Sequence, residues 1–194
     1  MYKISMVSLG CPKNQVDAEA MLYSLKQVGF EIGAPEAEAD AIIINTCGFI
    51  EDAKKEAIEN ILEASSYKTD GKCKALIVTG CLAERYKDDV TEEIPEVDVC
   101  VGIGSNKNIA EIVKNAIEGK KENSFGDKLE LDLNAPRILG GYPFTAYLKI
   151  GDGCDNCCTY CAIPSIRGRM RSRNLEDCVK EARHLAENGV KELI

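Results

Sequence analysis

Histidine is almost absent from this sequence, with His184 the single one, while cysteine occurs ten times. No apolar run approaches the ~18 residues that a membrane helix needs. The amino terminus, Met1-Tyr2-Lys3-Ile4-Ser5-Met6, enters a strand-like segment directly and does not resemble a signal peptide. These absences lead to the expectation of a cytoplasmic protein, where a reducing poise keeps thiols free. Basic residues are also in deficit, 24 against 32 acidic ones. A protein that coats nucleic acid needs a basic face, so that class is disfavoured. What is there is thiol chemistry, in a chain of 194 residues with 45% apolar content and ample material for a core.

Four of the ten cysteines fall within eight consecutive positions, in Cys154-Asp155-Asn156-Cys157-Cys158-Thr159-Tyr160-Cys161. A run this compact cannot close on itself as disulfides without severe strain, whereas soft thiolates suit iron–sulfur clusters or zinc. Cys154-x3-Cys158-x2-Cys161 supplies three thiolates, which leaves one iron of a four-iron cluster open to a ligand. The competing reading is zinc, through the pairs Cys154-x2-Cys157 and Cys158-x2-Cys161. In zinc knuckles an intervening segment separates the pairs; here they abut, and one histidine is all the chain offers. The spacing favours a cluster, with zinc as the alternative.

Before that loop, apolar runs alternate with helical periodicity. Ile4–Leu9, Ala41–Asn45, Ala75–Thr79 and Val97–Ile103 read as strands, and the segments after them carry apolar residues at helical spacing. Alternation of this kind predicts a parallel sheet with helices on both faces and right-handed crossovers. Cys11, Cys47 and Cys81 each fall just past a strand, at the turn toward the next helix, on the edge where open α/β sheets bind ligands. Those positions are expected to favour the thiolate. Each alone reads as a buried small side chain; three equivalent placements argue for a shared role. Cys73, Cys100 and Cys178 are expected to be packing residues. Gly102-Ile103-Gly104 lacks the third glycine of a dinucleotide fingerprint, since Lys107 stands there, and implies no nucleotide site.

Residues 119–141 are polar and punctuated by Gly, Asn and Pro, which suggests a boundary. The expected division is 1–120, a linker over 121–142, and a second unit over 143–194. In that unit Thr145–Ile150 reads as a strand, Asn174 as the N-cap of a helix ending at Asn188-Gly189, and Val190–Ile194 as another strand. A strand-loop-helix-strand unit cannot close a core alone. A truncated chain is therefore expected. Arg167, Arg169, Arg171 and Arg173 read as a solvated loop, with contact to an acidic partner as the alternative.

The Cys154-x3-Cys158-x2-Cys161 motif, with Tyr160 before its last cysteine, resembles that of the radical S-adenosylmethionine enzymes. Leu9-Gly10-Cys11-Pro12-Lys13-Asn14, Asn45-Thr46-Cys47-Gly48 and Thr79-Gly80-Cys81-Leu82-Ala83-Glu84-Arg85 resemble the amino-terminal domain of the methylthiotransferases. Pro12-Lys13 and Ala162-Ile163-Pro164-Ser165-Ile166-Arg167-Gly168 are similar to the branch that modifies a ribosomal protein; the tRNA-modifying branch usually has Gly-Cys-Gln-Met-Asn at the first site. Position 157 is commonly basic in the family, so Cys157 is a surplus thiol.

The resemblance implies an amino-terminal methylthiotransferase domain followed by the start of a TIM-type barrel near Tyr147. It implies two [4Fe-4S] clusters, one on Cys154, Cys158 and Cys161 and an auxiliary one on Cys11, Cys47 and Cys81. The open iron of the first would bind S-adenosylmethionine, with Tyr160 bordering the adenine, and one electron would release a 5′-deoxyadenosyl radical. That radical would take hydrogen from the β-carbon of an aspartate in the decoding-centre protein of the small ribosomal subunit, and the auxiliary cluster would supply or carry the methylthio group. An electron donor of flavodoxin type is implied, with no membrane and no direct DNA contact. The same chemistry on a tRNA adenosine and a non-catalytic metal or redox module are the alternatives. Because the radical must be shielded from water, these 194 residues alone are expected to be inactive.

Overall fold

The computed structural model describes residues 1–141 and 143–194, so position 142 of the expected linker lies outside the described residues. Five parallel strands form one sheet in the order β2-β1-β3-β4-β5. They are β1 (Lys3–Ser8), β2 (Glu31–Ile32), β3 (Ala41–Thr46), β4 (Ala75–Gly80) and β5 (Val99–Val101). The expected α/β sheet is present.

Every residue of β3 and β4 is buried. The two strands are covered on both faces, which is why their sequences are continuous apolar runs without alternation. On one face Ile4, Ile43, Ile77 and Val101 pack with Met21 and Leu25 of α1 (Pro12–Gln27) and Val113 of α5 (Ile109–Ile117). On the other, Ile42, Ile44, Leu76 and Val78 pack with Ile61 of α2 (Glu51–Asp70), with Leu82 of α3 (Cys81–Arg85) and with Val90 of α4 (Lys87–Glu93). Burying each such side chain contributes about 1.5–3 kcal/mol.

The strand order fixes where a ligand can sit. From β1 the chain moves to β2 on one side and then to β3 on the other, so the switch point lies between β1 and β3, and the crevice opens past their carboxyl ends. Cys11 and Cys47 follow those two strands, and Cys81 follows β4.

Residues 120–141 form no long element but lie along the sheet domain. Ser124 exchanges backbone hydrogen bonds with Cys100 and Gly102, and Asp127 caps a short turn through the Leu129 amide. The strand expected over Thr145–Ile150 is shorter: β6 covers Thr145–Ala146 and pairs in parallel with β9 (Glu192–Leu193). A strand extends only as far as its partner, and the pairing ends with the Leu148 amide on the Ile194 carbonyl. After it β7 (Gly151–Asp152) pairs antiparallel with β8 (Arg171–Ser172), flanking the cysteine loop and α6 (Ile163–Arg167). Helix α7 (Leu175–Glu187) begins at Asn174, whose side chain accepts from the Glu176 amide as an N-cap.

Candidate functional site

The end of β1 turns through Gly10 at φ 95°, a left-handed value that glycine adopts without strain. A Cβ there would stand 2.6 Å from Cys47 Cβ and 3.1 Å from its sulfur. Glycine is thus required twice, for the turn and for the approach of Cys47. Gly80, at φ 93°, has the same dual role before Cys81, since a Cβ would fall 2.4 Å from the Thr46 carbonyl oxygen.

Asn14 ties the three strand ends together. Its Nδ2 donates to the carbonyls of Leu9 and Thr46 at 3.1 and 2.7 Å, and Cys81 Sγ lies 3.4 Å from its Oδ1. Cys47 and Cys81 are buried, and Cys11 is exposed. The three thiols are neighbours on one edge.

The expectation that a helix terminus favours the thiolate is overturned at Cys81. Cys11 is the N-cap of α1, but Cys47 precedes the Ile50 cap of α2 by three residues, and α3 behind Cys81 is only five residues long. Burial dominates and pushes the Cys81 thiol up, with Arg167 pulling the other way.

In the second unit the loop is shaped by its backbone. The Cys154 amide donates to the Gly168 carbonyl at 3.1 Å, the Cys161 amide to Cys158 at 3.0 Å, and the Ile163 amide to Cys161 Sγ at 3.5 Å. Cys154 and Cys161 are half-buried, Cys157 and Cys158 are exposed, and Tyr160 is 87% exposed. Beyond the loop, Ile166 and Ala162 pack against Cys81 together with Ile103 and Leu131. Cys81 therefore packs against the segment that follows the dense loop.

A buried charge cluster fastens them. Arg167, 2% exposed, donates through Nη1 to Asp17 Oδ2 at 2.7 Å and to Asp152 Oδ2 at 3.0 Å. Its Nη2 reaches Asn14 Oδ1 at 2.5 Å and Cys81 Sγ at 3.6 Å. Lys149 Nζ pairs with Asp17 and Asp152 at 2.7 and 2.8 Å. Burial alone would push the Asp152 carboxyl up, but Arg167, Lys149 and Lys13 outweigh it and hold it well below the usual carboxylate range.

The arginine run is thereby corrected from a solvated loop to a fastening. Arg171 donates to the carbonyls of Leu129 and Leu131, and Arg173 binds Glu181 and the Lys149 carbonyl. Arg169 alone of the four is exposed, and Arg171 is half-buried. Asn14, Asp17, Lys149 and Asp152 had not been singled out from sequence. The available signal was Asp17 itself, a charge on the face of α1 where Val16, Ala20 and Met21 mark helical burial.

The residue sets suit clusters. Among the described residues no three His, Cys, Asp or Glu side chains close on one point, as a single metal ion requires. Thiolates are the soft donors that iron–sulfur clusters take, so the donor chemistry of the two cysteine sets fits that group.

Residues 3–102, more than half of the chain, match the model of Uncharacterized protein family UPF0004. The chain belongs to the UPF0004 family. Residues 148–194 match the Radical SAM superfamily, so the UPF0004 region carries the three strand-end cysteines and the radical SAM region carries the dense loop. A curated relative from Desulforamulus reducens, named ribosomal protein uS12 methylthiotransferase RimO, is 53% identical over all of this chain and 44% of its own length. Relatives of the same name from Pelotomaculum thermopropionicum and Clostridioides difficile are 52% and 50% identical over 99% and 100% of this chain. The resemblance drawn from the cysteine motifs holds. The chain spans about 44% of the length of the relatives it matches. Among the described residues no helix is long and apolar enough to cross a membrane.

Proposed function

We propose that the protein to which this chain belongs is a radical S-adenosylmethionine methylthiotransferase that adds a methylthio group to the β-carbon of an aspartate in ribosomal protein uS12. The observation that carries this reading is the packing of Cys81 against Ala162 and Ile166, in the segment that follows the Cys154–Cys161 loop. A methylthio transfer needs a centre that opens a C–H bond beside one that delivers sulfur, and in this reading the two thiol sets serve as those centres. The names of relatives at 50–53% identity support the choice of a ribosomal-protein substrate.

In this reading Cys154, Cys158 and Cys161 hold one [4Fe-4S] cluster, and Cys11, Cys47 and Cys81 hold a second. When bound, the first supplies the electron that cleaves S-adenosylmethionine. The chain's own residues would hold it in place. Three thiolates leave the fourth corner for the amino and carboxylate groups of the cofactor, and Tyr160 presents an exposed ring next to the last ligand for the adenine. Cys157, exposed between the ligands, takes no part. A flavodoxin-type electron donor and a cytoplasmic setting complete the proposal.

The test is a product assay with the whole protein, reconstituted anaerobically and given either uS12 or tRNA. Methylthiolation of the aspartate-bearing protein supports the reading. A modified adenosine with unmodified uS12 overturns it.

A further inference from the structure

Among the described residues, Arg167 is the one side chain that touches both carboxylates of the buried charge cluster, the amide of Asn14 and the sulfur of Cys81. It belongs to the radical SAM region, whereas Cys81 belongs to the UPF0004 region. Asp17 on α1 and Asp152 on β7 grip one edge of the guanidinium from the two regions. The Asn14 oxygen fixes the other edge, leaving Nη2 aimed at the sulfur from 3.6 Å. A guanidinium can do this because its fork is planar and rigid; a lysine ammonium offers one point of charge.

We propose that Arg167 is a positioning residue that sets the reduction potential of the cluster held by Cys11, Cys47 and Cys81, acting from the radical SAM region through its N–H contact to Cys81 Sγ. The inference rests on the reading that these three thiols hold a cluster. An N–H donor and a positive charge at a ligating sulfur stabilise the reduced, more negative state and raise the potential. Docking of the second unit onto the first therefore makes the three-thiol site easier to reduce. If the unit withdraws, both the donor and the charge leave with it.

The experiment uses the whole protein with Cys154, Cys158 and Cys161 all changed to alanine, so that the three-thiol site is the one site under observation. Iron, sulfide and midpoint potential are measured for this parent and for Arg167→Gln and Arg167→Lys. The expected result is iron retained in each variant with the potential moved lower, further for Arg167→Gln than for Arg167→Lys. Arg167→Lys keeps a charge opposite Asp17 and Asp152, so it reports even where Arg167→Gln does not fold. A potential in Arg167→Lys that stays at or above the parent value, with iron retained, overturns the role of Arg167. A parent that binds no iron and sulfide overturns the three-thiol reading itself.

Discussion

Lys149 Nζ lies 2.7 Å from Asp17 Oδ1, an ion pair that spans 132 residues of sequence and joins the approach to β7 with α1. Asp17 also receives Arg167 through its other oxygen, so one carboxylate balances two buried cations from the second unit. This is the point at which the cysteine loop is fixed against the strand-end cysteines.

Removing that carboxylate leaves Lys149 and Arg167 to share Asp152. Asp17→Ala is expected to cost about 3–5 kcal/mol, the usual penalty for stripping one partner from a buried ionic cluster. Urea unfolding measures it. Lys74→Ala, which breaks an exposed pair with Asp40, is the comparison and is expected to cost under about 1 kcal/mol.

Ile44 is fully buried in β3, on the face covered by α2 and α3. Ile44→Ala is expected to destabilise by about 2–5 kcal/mol through lost burial and a residual cavity. Thermal or denaturant unfolding checks it, and cysteine accessibility at Cys47 should rise with it because β3 ends there.

Asp98 gives a pH signature. Burial pushes its carboxyl up, but Lys121, Lys68 and the Leu76 amide together outweigh burial and hold it below its ordinary value. A lowered folded pKa contributes stability that is present above the unfolded pKa and is lost as pH falls through the folded one. The stability gap between wild type and Asp98→Asn should stay level above about pH 5 and narrow below about pH 4, near the ordinary aspartate value. A gap that is flat down to the acid transition would contradict the assignment.

Thiol reactivity separates ligands from bystanders. Burial raises the Cys100 thiol to about 12, so alkylation near neutral pH should leave it untouched in the folded protein. Cys157 and Cys158 are both exposed and should both react in iron-free protein. Once iron is loaded, Cys158 should be protected while Cys157 still reacts. Mass spectrometry of the peptide that holds them reads the difference directly.

The sheet was legible because its chemistry is local. Ala41-Ile42-Ile43-Ile44 and Ala75-Leu76-Ile77-Val78 are apolar without alternation because helices cover both faces, and a cysteine follows each at the strand end. The charge cluster was not legible, for the opposite reason. Arg167 meets Asp17 across 150 residues, and nothing local distinguishes it from Arg169, which is exposed. Residues 119–141 read as a boundary from their polar punctuation. Yet Arg137 within them binds Glu19, Glu181 and the Tyr147 carbonyl, a role that only the assembled fold confers. Strand length in the second unit was overestimated because apolar content marks where a strand can form, while the partner decides how far it pairs.

The central claim is that two adjacent but separate thiol sets each hold a cluster of their own. Iron and sulfide counting on the anaerobically reconstituted whole protein tests it most directly, with Cys47→Ala, Cys158→Ala and the double variant alongside. The account predicts about eight irons with matching sulfide in wild type, about four in each single variant and none in the double. Zinc in place of iron, or full iron content in Cys47→Ala, would contradict it.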